Sequence, residues 1–187
     1  MIKRRGPIRS KAFVLFAGDE TPHRSCGIAL AEAFGRGTLA YQALRRGGIT
    51  GQGTCGAVLA GRLVLGELLG DPEPTGAVTE ALRRATFGYE QRIQEELDHG
   101  QSVDLTCNSM TAPHGEFSGS ARRTFCRSVV AQVAQLVDEL LDAEGVRVEP
   151  VPVRLADGSS FRPGIDPSRE PPIRAESAGG DSADGVG

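Results

Sequence analysis

One stretch of this chain leaves little freedom in what it can become. Phe125, Val129, Val133, Leu136, Val137, Leu140 and Leu141 recur at three- and four-residue steps, the spacing that stacks side chains along one face of an α-helix. The pattern predicts a long helix opening after residues 118–120 and ending near Gly145. Such a face must be buried against other elements. Aromatic residues are only 5% of the 187 and tryptophan is absent, so the core has to come from Ala, Val, Leu and Ile packed closely through small residues.

Upstream, the same spacing predicts further helices. Thr21-Pro22 offers an N-cap and a proline at the first helical position, with apolar residues at 26, 29, 30, 33 and 34 and glycines at 35 and 37 to end the helix. A helical turn over 39–46 leads into a glycine-rich loop, 47–53. Thr54 then caps a helix to about residue 69 that carries Gly56, Ala57, Ala60 and Gly61, where another backbone can approach closely. Pro72, Pro74 and Gly76 break the chain before a polar-faced helix over 78–97, and 101–117 reads as loop. Residues 146–155 alternate as a strand does, but Pro150 and Pro152 confine them to an edge or an extended arm. From Asp166 onward Pro, Ser, Gly, Asp and Glu dominate, the composition of a disordered tail.

The fold expected is all-α: a compact bundle of four to five helices with an extended C-terminal arm and a disordered tail. Its divisions are a basic N-terminal arm over 1–18, a helical domain over 19–145, the extended arm over 146–165 and the tail over 166–187. Lys3, Arg4, Arg5, Arg9 and Lys11 all precede the first acidic residue, Asp19, which describes a solvated, disordered start. The apolar run Ala12-Phe13-Val14-Leu15-Phe16-Ala17 is too short for a secretion signal and meets Asp19 and Glu20 at once. The other long apolar segment, 57–69, is interrupted by Arg62 and Glu67 and falls short of the roughly 20 residues of a membrane helix. These features predict a cytoplasmic protein without a membrane span. A net charge of −3 gives no overall field to gather nucleic acid.

Four cysteines remain to be explained: Cys26, Cys55, Cys107 and Cys126, separated by 29, 52 and 19 positions. No two form a C-x-x-C pair, so zinc-finger, thioredoxin-like and c-type haem readings lose their usual support. In a reducing cytoplasm permanent disulfides are unexpected, which leaves metal ligation, thiol redox chemistry or burial as small hydrophobes. Cys26, Cys55 and Cys126 fall on inward helical faces. Cys55 falls in the first turn of its helix, where unpaired N–H groups and the helix dipole favour thiolate, and Cys107 falls in a polar loop. All four can converge at one end of a bundle.

The order Cys26, a glycine loop into Gly53-Thr54-Cys55-Gly56-Ala57, Cys107, then Cys126 opening a long Val/Leu helix resembles the redox-active four-cysteine family of pattern C-GCAxxG-C-C. The resemblance spans roughly residues 20–142, with Ala60 where the pattern has glycine and Gly61 next to it. It implies a compact helical domain in which Cys26, Cys55, Cys107 and Cys126 hold an iron–sulfur cluster or other metal centre, or cycle as thiols, beside an oxidoreductase or transporter partner. Four thiolates suit a [2Fe–2S] or [4Fe–4S] cluster and also zinc. The function expected is electron transfer or redox sensing. The alternatives are a metal-free thiol–disulfide protein with Cys55 as the reactive thiolate, and a helical interaction module whose cysteines only pack. His23, one helical turn before Cys26, is a further candidate ligand. The 47–53 loop lacks the Lys-Ser/Thr of a P-loop and follows a helical pattern, so nucleotide binding is not expected.

Overall fold

In the computed structural model, which describes residues 6–163, the apolar stripe of the C-terminal half forms the longest helix, Ser120–Ala143. Around it, in chain order, are α1 (Pro7–Ala17), α2 (Cys26–Ala33), a 3-10 turn (Ala40–Leu44), α3 (Gly56–Leu69), α4 (Glu80–Glu96) and α5 (Cys107–Thr111), so the long helix is α6. Phe125, Val129, Val133, Leu136, Val137 and Leu141 are buried along it, and α1, α2, α3 and α4 all pack against it. The helical fold expected from the periodicity is therefore the fold found, with six α-helices among the described residues. None of these helices is long and apolar enough to cross a membrane.

Residues 7–18, expected to belong to a solvated basic arm, are instead part of the folded core. Pro7 stands at the start of α1, Gly18 closes it in a left-handed conformation with φ 73°, and Ile8, Ala12 and Leu15 are wholly buried. The apolar run that is too short for a secretion signal is the C-terminal half of an 11-residue, three-turn core helix. Lys3, Arg4 and Arg5 lie outside the described residues. α1 lies along α6 and is joined to it by Arg9 Nη1 donating to Gln135 Oε1 at 2.7 Å.

The second helix starts later than Thr21-Pro22 predicts. The backbone N–H of Arg24 donates to the carbonyl of Leu15 at 2.9 Å, and its guanidinium binds Glu32 and the Pro22 carbonyl. These bonds hold residues 21–25 extended against the end of α1, so α2 begins at Cys26. The expected loop over 101–117 likewise contains α5, which opens at Cys107. In α4 the helix proper begins after Thr79, whose hydroxyl accepts from Leu82 N–H and donates to the Leu69 carbonyl, which leaves Val78 outside and exposed.

The extended arm is more than an edge. Val153–Arg154 (β1) and Ser160–Phe161 (β2) pair antiparallel, with Val153 opposite Phe161. Val153, Leu155 and Phe161 are buried in the core, and Ala156 N–H donates to the Glu20 carbonyl at 2.8 Å. The expected tail, 166–187, lies outside the described residues.

Candidate functional site

The local backbone around residues 44–56 explains how cysteines so far apart in sequence meet. The loop 47–53 folds back on itself, with Gly53 N–H donating to the Gly47 carbonyl at 3.0 Å, and then clasps the strand-like segment before α5. Cys55 N–H donates to Leu105 O at 2.7 Å, Cys107 N–H to Gly53 O at 3.0 Å and Asn108 N–H to Gly51 O at 2.9 Å. Thr54 and Thr106 form a single antiparallel bridge. Cys55 and Cys107 are thereby each one residue beyond a bridged pair, at the starts of α3 and α5.

Close backbone approach does the rest. A Cβ on Gly47, at φ 56°, would lie 2.5 Å from both the Cys107 Cβ and the Gly53 carbonyl oxygen, so only glycine fits there. A Cβ on Gly56 would lie 2.0 Å from the Leu44 carbonyl oxygen and 2.8 Å from Cys26 Sγ. The glycine after Cys55 thus makes room for the sulfur of Cys26, which heads α2. Cys126 arrives from the second turn of α6.

All four cysteines line one cavity of 440 Å³, and all four are free thiols. Burial is the largest influence on each and pushes every one of them above the ordinary thiol range, Cys126 to about 12. For Cys26, Cys55 and Cys126 the other thiols raise it further, because ionising one sulfur opposes ionising its neighbours. Backbone N–H groups aimed at the sulfurs act the other way: Ala57 and Val58 toward Cys55, Gly27 and Arg46 toward Cys26. The helix start was expected to make Cys55 the readiest thiolate. Instead burial outweighs the N–H groups there. Cys107 differs from the others, since after burial its surroundings are the guanidinium groups of Arg122 and Arg46, which favour its thiolate.

Sequence reasoning missed these two arginines and Phe117. Arg46 and Arg122 lie over the Phe117 ring, 4.7 Å and 5.1 Å from its centroid, and all three line the cavity. Arg122 was legible in principle: it precedes Cys126 by four residues, one turn on the same face of a predicted helix. Arg46 was not, because its place depends on a left-handed backbone, φ 49°, inside a loop closed by tertiary hydrogen bonds.

Of the histidines, only His23 lines the cavity. Its Nδ1 donates to the Phe16 carbonyl at 2.6 Å and its ring meets Phe16 edge-on. His99 bonds the Ile93 carbonyl, and His114 stacks on Phe125 with centroids 4.0 Å apart. Among the described residues no three His, Cys, Asp or Glu side chains are placed to close on a single metal ion. Compared with protein-family models, with curated proteins and with solved structures, the chain matches none.

Proposed function

We propose that Cys26, Cys55, Cys107 and Cys126 form one redox-active centre that holds an iron–sulfur cluster or a comparable metal centre for electron transfer or redox sensing. The observation that carries this reading is that four cysteines, heading or occupying four separate helices, line a single cavity. Packing alone gives no reason for four small hydrophobes to share a wall with arginines.

The donor set suits the group. Thiolates are the ligands of iron–sulfur clusters and soft-metal sites. Buried thiols that oppose one another's ionisation stay protonated unless a cation compensates them, and a bound metal does so outright. Zinc alone draws four sulfurs to about 2.3 Å from one ion, closer than the described side chains stand. A [4Fe–4S] cluster would offer a separate iron to each thiolate, which suits ligands spread around a cavity wall. When bound, such a cluster supplies reversible one-electron transfer. The chain's own groups would then tune it: N–H groups of Ala57, Val58, Gly27 and Arg46 toward the sulfurs, and the Arg46 and Arg122 charges beside Cys107.

Iron and acid-labile sulfide, with a visible absorption spectrum, measured on protein purified without oxygen, test the reading. Iron with sulfide is expected in the wild type, and each of the four Cys→Ser variants is expected to lose most of it. If all four variants keep full metal content, the reading fails.

A metal-free thiol–disulfide role is the second reading, favoured by the arginines around Cys107. In it the Cys107 thiolate attacks an external disulfide, a new S–S bond forms and the departing sulfur leaves with the electron pair. A neighbouring thiol such as Cys126, once deprotonated, then displaces Cys107's partner and completes the oxidation of the pair. Here Cys107→Ser abolishes exchange in metal-free protein, while Cys55→Ser, the variant expected to matter from sequence, retains it.

A further inference from the structure

The cavity that the thiols line has a second chemical character, set by charge and shape. It is walled by apolar groups such as Phe16, Met110, Phe125 and Val130, and no carboxylate lines it. Arg46, Arg122 and Arg123 do line it, and among the described residues none of the three has a salt-bridge partner. Cations without acidic partners beside an apolar wall are a demanding arrangement, because guanidinium groups in proteins ordinarily find a carboxylate or phosphate.

Phe117 organises two of these charges. Its ring is 61% exposed and carries the Arg46 and Arg122 guanidinium groups over it, a contact that restrains both side chains before anything binds. The backbone of Arg46 is held left-handed by the hydrogen-bonded loop behind it, a conformation that costs a non-glycine residue roughly 1 kcal/mol and persists only where its surroundings impose it. Within the same cavity the buried Ser25 Oγ has no hydrogen-bond partner. A volume of 440 Å³ lies in the range of small-molecule sites.

We infer that this cavity is a binding site for a small organic anion, with a ring-sized apolar body against the Phe16, Met110 and Phe125 wall and its acidic group on Arg46 and Arg122. The inference goes beyond the redox reading and concerns the cavity in its metal-free form, because a cluster held by the four thiols would take up the same space; the recognition comes from arginine charge and apolar shape.

A pair of probes that differ only in charge tests it: 1-anilinonaphthalene-8-sulfonate, and N-phenyl-1-naphthylamine, the same body without the sulfonate. Fluorescence titration of the full chain, stripped of metal by chelator under reducing conditions, is expected to show one sulfonate probe bound per protein, at least about tenfold more tightly than the neutral one, a margin that one good charge-assisted contact supplies. The R46Q/R122Q double variant is expected to lose that margin while binding the neutral probe as before. Arg46 is exposed, so the single R46Q variant, expected to lose at least threefold, carries the test if the double variant does not fold. Equal affinity of the wild type for the two probes overturns the inference, as does a margin that R46Q leaves unchanged. Metal and sulfide content are read separately, so a failure here leaves the thiol-centre reading standing, and the reverse also holds.

Discussion

At the scale of single residues, the chemistry is set by what each side chain is allowed to expose. Gly56 shows this in its most restrictive form, since the Leu44 carbonyl oxygen and, behind it, the sulfur of Cys26 occupy the space that any side chain there would need. Asp138 is the clearest titrating group outside the cysteine site. It stands half-buried on α6 against the start of α1, with Oδ2 2.8 Å from where a Gly6 Cβ would be. Burial, then the charges of Asp142 and Glu139, push its carboxyl up to about 6, against about 3.9 in an unfolded chain. A folded value above the unfolded one means that the folded state binds the proton more tightly, so stability is lost as pH rises from about 4 through 6. Asp138→Asn is therefore expected to stabilise the protein at pH 7 by about 1 kcal/mol, a figure reduced for the carboxyl's remaining exposure, and to give no gain at pH 4. Urea unfolding at the two pH values checks it; an equal gain at both would assign the effect to something other than charge. Phe117, Arg46 and Arg122 belong to this scale too: Arg122 could be placed near Cys126 by its helical spacing, but Phe117 and Arg46 were invisible in sequence because an exposed aromatic and a loop arginine carry no pattern until a fold brings them together.

Among the elements, the periodic helices were legible and the boundaries were not. α6 was readable because its apolar stripe repeats from Phe125 to Leu141 along a helix of 24 residues, and α3 because small residues run along one face. α1 was misread for a physical reason: Ile8, Ser10, Lys11, Ala12, Val14, Leu15, Phe16 and Ala17 are all buried, so the helix has no polar side to create a period, and its basic neighbours suggested a solvated arm. Its contribution is testable. Leu15 is fully buried, and Leu15→Ala is expected to cost about 2–5 kcal/mol, the range for truncating a core leucine, read from the urea midpoint. A cost under about 0.5 kcal/mol would mean that α1 adds little to the core. α3 shows the converse case of a small residue with a tertiary purpose: a Cβ on Gly61 would lie 2.4 Å from the Tyr89 hydroxyl oxygen, and that hydroxyl donates to the Val58 carbonyl at 2.8 Å. α4 approaches α3 closely because Gly61 leaves room for Tyr89.

Across the whole molecule, the four cysteines connect the starts of α2, α3 and α5 to α6, so anything bound between them ties together chain segments up to 100 positions apart, from Cys26 to Cys126. A ligand that binds only the folded state stabilises it by mass action, about 2.7 kcal/mol at a hundredfold excess over its dissociation constant. For a chain of this size that corresponds to a melting temperature roughly 5–10 °C higher. On the proposed reading, protein purified without oxygen is expected to melt higher than the same protein stripped by chelator under reducing conditions, as differential scanning calorimetry will show; identical melting curves would argue that the cysteines bind nothing that bridges the helices. By itself the sequence determined the helical class, the long C-terminal helix and the cysteines as the residues to watch, because helical periodicity and cysteine content are local properties that survive without knowledge of contacts. Only the tertiary structure decided that the first helix belongs to the core, that all four thiols share one cavity and that arginines stand beside them. Those facts depend on loop closures, the 47–53 clasp and the Gly56 approach above all, whose partners lie tens of residues away and leave no periodic trace in the chain.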